Sequence, residues 1–302
     1  MNRVRLIYRS GDASITIPDE VGVPSAGQLT GSTIENLCEF AGRLCYGSLG
    51  AHKSRPSPEY HQHIVSSGHL SIYEHAVVAF NGDAGSQEHI NRPGVWSYGG
   101  LVHANLRSLL EWSKWGSGGQ DMADAILRGV SPLLVSCPGP TFPSAPPERG
   151  RQWLSFWIET DRGVTHELVR HRHQVAISQR STRYCDESES PWHTSPALTE
   201  KLHKTSWALQ DAISRAVVAG RQAYRVVYAE LYGLLREMGC SVSYARKQAR
   251  GAARGYLGNA LRTSLVMSAS VSQWRHIVEI RTTKHADAGI RDVCMKIGEH
   301  LP

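Results

Sequence analysis

The sequence contains no CxxC pair, no GxGxxG or GxxxxGK[ST] loop, no GxSxG elbow and no Ser-x-x-Lys motif. Each absence removes a class of chemistry. Six cysteines (38, 45, 137, 185, 240, 294) scattered over 302 residues fit neither a disulfide framework nor a zinc ribbon, so reduced and mostly buried thiols are expected. Without the glycine loops, a bound phosphate must be gripped by side chains and not by a Rossmann turn or Walker backbone. Without an elbow or an adjacent base, neither serine nor cysteine is marked as a nucleophile. Apolar runs fall short of the ~18 residues of a membrane span, and the amino terminus alternates like a strand where a signal peptide would have an apolar core. A soluble, cytoplasmic protein is expected. Lys/Arg-rich tails and an aromatic RNP-type signature are also missing, which argues against a nucleic-acid partner.

Positive charge, by contrast, is present and clustered. The net charge is +6 and the isoelectric point about 9.1, which suits anionic partners. Arg170-His171-Arg172 is followed by Arg180-Ser181-Thr182-Arg183, with Leu168, Val169, Val175, Ala176 and Ile177 around them. An arginine offers a planar fork matched to phosphate oxygens and cannot lose its charge. Its apolar flanks point to partial burial, and buried charge needs partners. A phosphate-rich ligand is the reading these residues favour; a solvated basic helix face is the plainer alternative.

With 41% hydrophobic and 20% charged residues, the composition is that of a globular α/β protein, read as a single domain over 1–302. Strands are expected at 3–9, 76–80, 153–159 and 263–268. Helices are expected at 32–46, where Ser32, Thr33 and Glu35 make an N-terminal cap, at 56–67 ending on Gly68, and at 101–115 and 122–135. The strand at 153–159 is expected to run into a helix that carries the arginine run. Turn residues Asn81-Gly82-Asp83-Ala84-Gly85, a Gly/Ser break at 116–119 and a proline loop at 138–147 punctuate the first half. Residues 198–238 read as one long helix or two in tandem, broken only by Gly220 and Gly233, the kind of helix that forms an oligomer's spine. Helices at 270–280 and 285–297 close the chain. One faint internal echo exists: Ala104-Asn105-Leu106-Arg107, ahead of Leu109-Leu110-Glu111-Trp112, resembles Ala269-Ser270-Val271-Ser272, ahead of Trp274 and Ile277.

A metal site does not emerge. His166 and His171 enclose Glu167 but are five residues apart, about 140° around a helix, where ligation from one face needs four. His61, His63, His69 and His75 are spread over a helix end, a loop and a strand start, and ordinary polar roles are expected for them.

Three blocks carry a resemblance. Thr165-His166-Glu167-Leu168-Val169-Arg170-His171-Arg172 with Ser178-Gln179-Arg180-Ser181-Thr182-Arg183-Tyr184 is similar to the RHR…SxR signature of the flavin-dependent thymidylate synthase family. Gly68-His69-Leu70-Ser71-Ile72-Tyr73-Glu74-His75 resembles that family's GHxSxxEH segment, and Ala253-Arg254, Leu257, Leu261, Thr263, Ile280-Arg281 and His285-Ala286 follow its third block in order. The resemblance implies a flavin-dependent thymidylate synthase-like α/β fold: a mixed sheet with long helices, assembled as a homotetramer with active sites at subunit interfaces. It implies FAD as cofactor, NADPH and methylenetetrahydrofolate as co-substrates, and methylation of a uridylate at C5 without a cysteine nucleophile. Carried over residue by residue, Ser71, Glu74, Arg170, His171, Arg172, Ser270, His276 and His285 would serve the flavin. Glu167, Gln179, Arg180, Ser181, Thr182, Arg183, Arg254 and Arg281 would hold the nucleotide, with Arg281 and Ser181 at the reacting ring.

This chain departs from the pattern at several points. Eight residues separate Arg172 from Ser181, one more than the family's usual spacing. Ser270 and Ser272 stand where the family has an Asn-x-Arg pair for flavin, Gly251 where it has Glu, and the HAQ-x-EIR block reads His285-Ala286-Asp287-Ala288-Gly289-Ile290-Arg291. Residues 84–150 form an insert, whose Asn105 and Arg107 are candidates to replace the missing pair. These changes leave two variants open beside dUMP methylation: a polyoxin-pathway type of enzyme acting on UMP, and a non-catalytic nucleotide- or RNA-binding relative that has lost its flavin.

Overall fold

The computed structural model describes residues 1–52, 54–82, 93–115, 120–135, 141, 152–202 and 207–302. The loop read at 138–147 apart from Thr141, the break at 116–119, Cys137 and most of the turn after Asn81 lie outside them. The alternating residues at the start form strand β1 (Arg3–Arg9). Helix α1 (Thr33–Tyr46) is closed by a capping box in which Ser32 and Glu35 satisfy each other's backbone N–H, and it ends on Gly47 in the left-handed region. Glu35 is fully buried and also accepts from Ser131 Oγ and Leu133 N, so one carboxylate caps the helix and pins a later loop. Helix α2 (Ser57–Ser66) stops before Gly68 at φ +70°. A 3-10 turn (Leu70–His75) leads into β2 (Val77–Phe80).

Residues 101–115 are not one helix. They form β4 (Leu101–Asn105) followed directly by α3 (Leu106–Trp115), and β4 is the centre of a three-stranded sheet between β2 and β3 (Val95–Tyr98). Gly99 and Gly100, both at positive φ, make the tight turn between β3 and β4. Pairing on both edges of β4 overrides the helical pattern that begins at Leu106. Helix α4 (Gln120–Val130) ends earlier than its apolar pattern, before Pro132. This sheet packs with α2, α3 and α4 around Phe80, Leu106, Leu109 and Ile126.

Strand β5 (Trp153–Asp161) runs without a loop into α5 (Arg162–Leu168), whose N-terminus is capped by Asp161. That helix ends at Leu168. The arginine run therefore lies on the connection to β6 (Val175–Gln179) and not on the helix. Helices α6 (Pro196–Leu202) and α7 (Trp207–Glu237) stand in tandem, and the 31 residues of α7 pass through Gly220 and Gly233 unbroken. Only Tyr224 is buried along α7, while Trp207, Val218 and Leu234 are exposed. Helix α8 (Val242–Ala253), β7 (Arg262–Ser270), α9 (Val271–Arg281) and α10 (Ala288–Gly298) complete the chain.

The large sheet has the order β1-β5-β7-β6, and every neighbouring pair is antiparallel, which corrects the mixed sheet expected from the resemblance. The passage β5–α5–β6 does return the chain in the same direction, but β7 is inserted between those two strands and opposes both. Helices α9 and α10 cover one face through Trp274, Ile277, Ile290 and Val293; α1 covers the other through Leu37, Phe40 and Leu44. Among the described residues no helix is long and apolar enough to cross a membrane.

Candidate functional site

Three strand-to-helix junctions organise the site. At each, the last strand residue turns its side chain back to accept the N–H three residues on: Asn105 from Ser108 (2.8 Å), Asp161 from Val164 (2.8 Å) and Ser270 from Gln273 (3.2 Å). With no loop between strand and helix, the first helical turn is held at a fixed place at the end of the sheet. Gly94 tightens the first junction further. Its carbonyl accepts from Asn105 N, and a Cβ there would collide with the Asn105 side-chain amide.

The GHxSxxEH-like segment is the 3-10 turn, and it is bolted to the large sheet by His75. This imidazole is fully buried, with Nδ1 2.7 Å from Ser268 Oγ on β7 and Nε2 2.9 Å from Ser178 Oγ on β6. Burial pulls its pKa down to about 3, so the ring is neutral. Its carbonyl accepts from Trp153 Nε1. Ser71 and Glu74, on the same turn, are left facing two adjoining clefts.

The first cleft, about 370 Å³, is lined by Tyr46, His69, Ser71, Gln179, Ser181 and Tyr184, with Cys45 and Arg107. Gln179 donates to Thr165 and Thr263 hydroxyls, and Ser181 N donates to the Cys45 carbonyl, so both are anchored from below. Burial pushes the Cys45 thiol up to about 11 and raises Cys185 as well, which makes both thiols rather than thiolates at neutral pH. The second cleft, about 520 Å³, has one aromatic wall and a charged rim. Trp96 and Trp153 lie 6.0 Å apart and nearly parallel, with Val95, Val175 and Ala176 beside them; Glu74, Arg107, Glu111, Arg172 and His173 form the rim. Trp96 Nε1 is buried without a hydrogen-bond partner among the described residues. Gln174, at φ +50°, turns the backbone between the arginine run and β6.

The other expected site residues divide into further groups. Arg281 donates from Nε to His171 Nε2 (3.1 Å) and pairs with Glu167 (2.9 Å). Burial, with Arg281 and His276 nearby, lowers the His171 pKa, which keeps its Nε2 lone pair free to accept. This cluster lies outside both clefts. Arg180 pairs with the buried Glu187 and faces a separate hollow with Trp157 and Arg262. Arg254 reaches Thr182 Oγ1 at 3.4 Å. Ser270 is fully buried as a cap and its hydroxyl meets that of Ser272 at 3.1 Å. Arg170, Arg172, His276 and His285 are exposed, and Arg183 is half-buried.

Sequence reasoning did not find Trp96 or the pairing of Arg107 with Glu74, because Arg107 and the 3-10 turn meet only in space. The signal for Arg107 was the echo of the third block. Nor did it mark His193, whose Nδ1 lies 3.1 Å from Asp161 Oδ2 and, against the effect of burial, helps hold that carboxyl below its usual range.

Comparison with known proteins adds the family. Residues 153–302 match the family model described as thymidylate synthase complementing protein, a match that begins at Trp153, the first residue of β5. Over 300 residues the chain is 29% identical to a flavin-dependent thymidylate synthase of Mycobacterium sp. (strain KMS), covering 96% of this chain and 81% of the relative. Over 266 residues it is 28% identical to the flavin-dependent thymidylate synthase of Mycobacterium avium (strain 104), covering 86% and 72%. Over the same length it is 27% identical to that of Mycobacterium tuberculosis (strain ATCC 25177 / H37Ra), again covering 86% and 72%. Family match, relatives and the three sequence blocks agree, and the chain belongs to the thymidylate synthase complementing protein family.

Proposed function

We propose that this chain is a flavin-dependent enzyme that methylates uracil at C5 in a uridine monophosphate. The overall reaction balances as uridylate, methylenetetrahydrofolate, NADPH and a proton giving the 5-methyl nucleotide, tetrahydrofolate and NADP⁺. The observation that carries the reading is the pair of adjoining clefts at the 3-10 turn, one lined by Gln179 and Ser181 and the other walled by tryptophan and rimmed by arginine. The names of the relatives point the same way.

FAD fits the second cleft by its donor set. A planar ring finds Trp96 and Trp153, a phosphate finds Arg107 and Arg172, and Trp96 Nε1, without a partner among the described residues, has a donor to give. When bound, the flavin supplies the reducing electrons that turn the transferred carbon into a methyl group. The protein's own groups bind and orient. Gln179 and Ser181 fix the nucleotide beside Ser71, Arg254 and Thr182 take its phosphate, and Arg281 presents a permanent positive charge to a uracil carbonyl. A neutral His171 holds the Arg281 fork in place.

Within one chain Arg281, His171 and Glu167 line neither cleft, whereas Gln179 and Ser181 line the first. This separation, with the exposed apolar residues of α7, supports a homotetramer in which neighbouring subunits complete each site. A cytoplasmic location and no nucleic-acid or membrane partner are part of the same proposal.

Purified protein should acquire the visible absorbance of bound FAD and, with methylenetetrahydrofolate and NADPH, convert dUMP to dTMP as read by product mass. Parallel reactions with UMP separate the two nucleotide variants, because a site closed to the 2′-hydroxyl rejects UMP. A protein that binds uridylates yet takes up no FAD would overturn the enzymatic reading in favour of a nucleotide-binding relative.

A further inference from the structure

Among the described residues, Arg107 is the one side chain that lines both clefts. It is contributed by the insert, at the second position of α3, behind the Asn105 cap and the close packing of Gly94. Its guanidinium spans two carboxylates, Glu74 at 2.6 Å and Glu111 at 2.8 Å. All three side chains are between 31% and 41% exposed, so this is not a buried structural pair that must persist for the fold to stand. It occupies the rim between a tryptophan-walled cleft and the cleft of Gln179 and Ser181.

We infer that Arg107 joins the two clefts into one site, touching the flavin on one side and the uridine nucleotide on the other. The inference rests on the flavin and uridylate reading above. A fork with five donors can keep one edge on Glu74 while the other turns to a ligand anion or carbonyl, which a lysine cannot do. Glu74 is on the 3-10 turn that also carries Ser71, so the ion pair ties the insert to the segment shared by both clefts. The insert is in this way a working part of the site: it brings Trp96 for the ring and Arg107 for the boundary.

The test titrates the full-length protein separately with FAD and with dUMP, for wild type, Arg107→Gln and Arg107→Lys, with steady-state kinetics alongside. Arg107→Gln is expected to weaken both ligands by about tenfold, the size of one lost charge-assisted contact. Arg107→Lys should recover part of both, since charge is kept and the fork is lost. Circular dichroism should be unchanged, given the exposure of the side chain. The inference is overturned if Arg107→Gln binds both ligands within about twofold of wild type, or if only one of the two is weakened. Failure of the underlying reading looks different: wild type itself would then take up no FAD.

Discussion

The junctions β4–α3 and β7–α9 have the same frame and opposite contents. Ala104 and Ala269 are both fully buried, Asn105 and Ser270 both cap the N–H three residues on, and Leu109 and Trp274, each four residues past the cap, are both buried in their cores. At the second residue past the cap, one junction has Arg107 at the meeting of two clefts; the other has Ser272, bonded to its own cap. The difference shows which positions answer to packing and which to chemistry. At these two junctions packing fixes the alanine, the cap and the apolar anchor; at β5–α5 only the cap recurs, with buried Thr160 and Thr165 in the other two places. The remaining position is free to carry charge or to lose it.

If the two frames are equivalent in the fold, removing their anchors should cost comparably. Trp274→Ala should lose about 3–5 kcal/mol and Leu109→Ala about 2–5 kcal/mol in urea unfolding. A Leu109→Ala variant as stable as wild type would make the β4–α3 junction an ornament on the fold and break the comparison.

The His75 bolt gives the next effect. Its pKa is lowered on folding, so above pH ~6.5 the ring is neutral in both states and stability does not depend on it. As pH falls from there towards about 3, the unfolded chain takes up a proton that the folded chain refuses, and stability drops by about 1.4 kcal/mol per pH unit. His75→Gln should flatten that slope by one proton; an unchanged slope would mean that other histidines produce it. Smallest are the caps, where Asn105→Ala and Ser270→Ala should each cost about 1 kcal/mol. A clear inequality between them would show that one junction relies on its cap more than the other.

Much of this was legible in the sequence where a local rule governs. Ser32 with Glu35, Gly68 after α2, and the alternation from Trp153 onward each gave an element near its true place. The RHR and STR segments were found as charge in apolar surroundings, and the family blocks gave them expected partners. The misreadings share a cause. Residues 101–105 carry only five residues of alternation before a strong helical pattern, and pairing to β2 and β3, distant in sequence, decides for strand. Strand β6 was taken as an apolar flank of the arginine run because its ladder to β7 spans the long helices. The parallel return β5–α5–β6 did not reveal that β7 would enter between. Arg107 was visible as an echo, but that it would line two clefts depends on where the 3-10 turn is bolted, which His75, Ser178 and Ser268 settle together.

The two carboxylates on Arg107 have a kinetic consequence. Glu74 and Glu111 act as a resident competitor for any anionic ligand that approaches it, so the ligand gains only the difference between its own oxygens and those of the protein. As the ligand leaves, the carboxylates take its place and the cation is never stranded. Affinity is thereby traded for exchange, so that an anion admitted at this rim can leave without baring the cation.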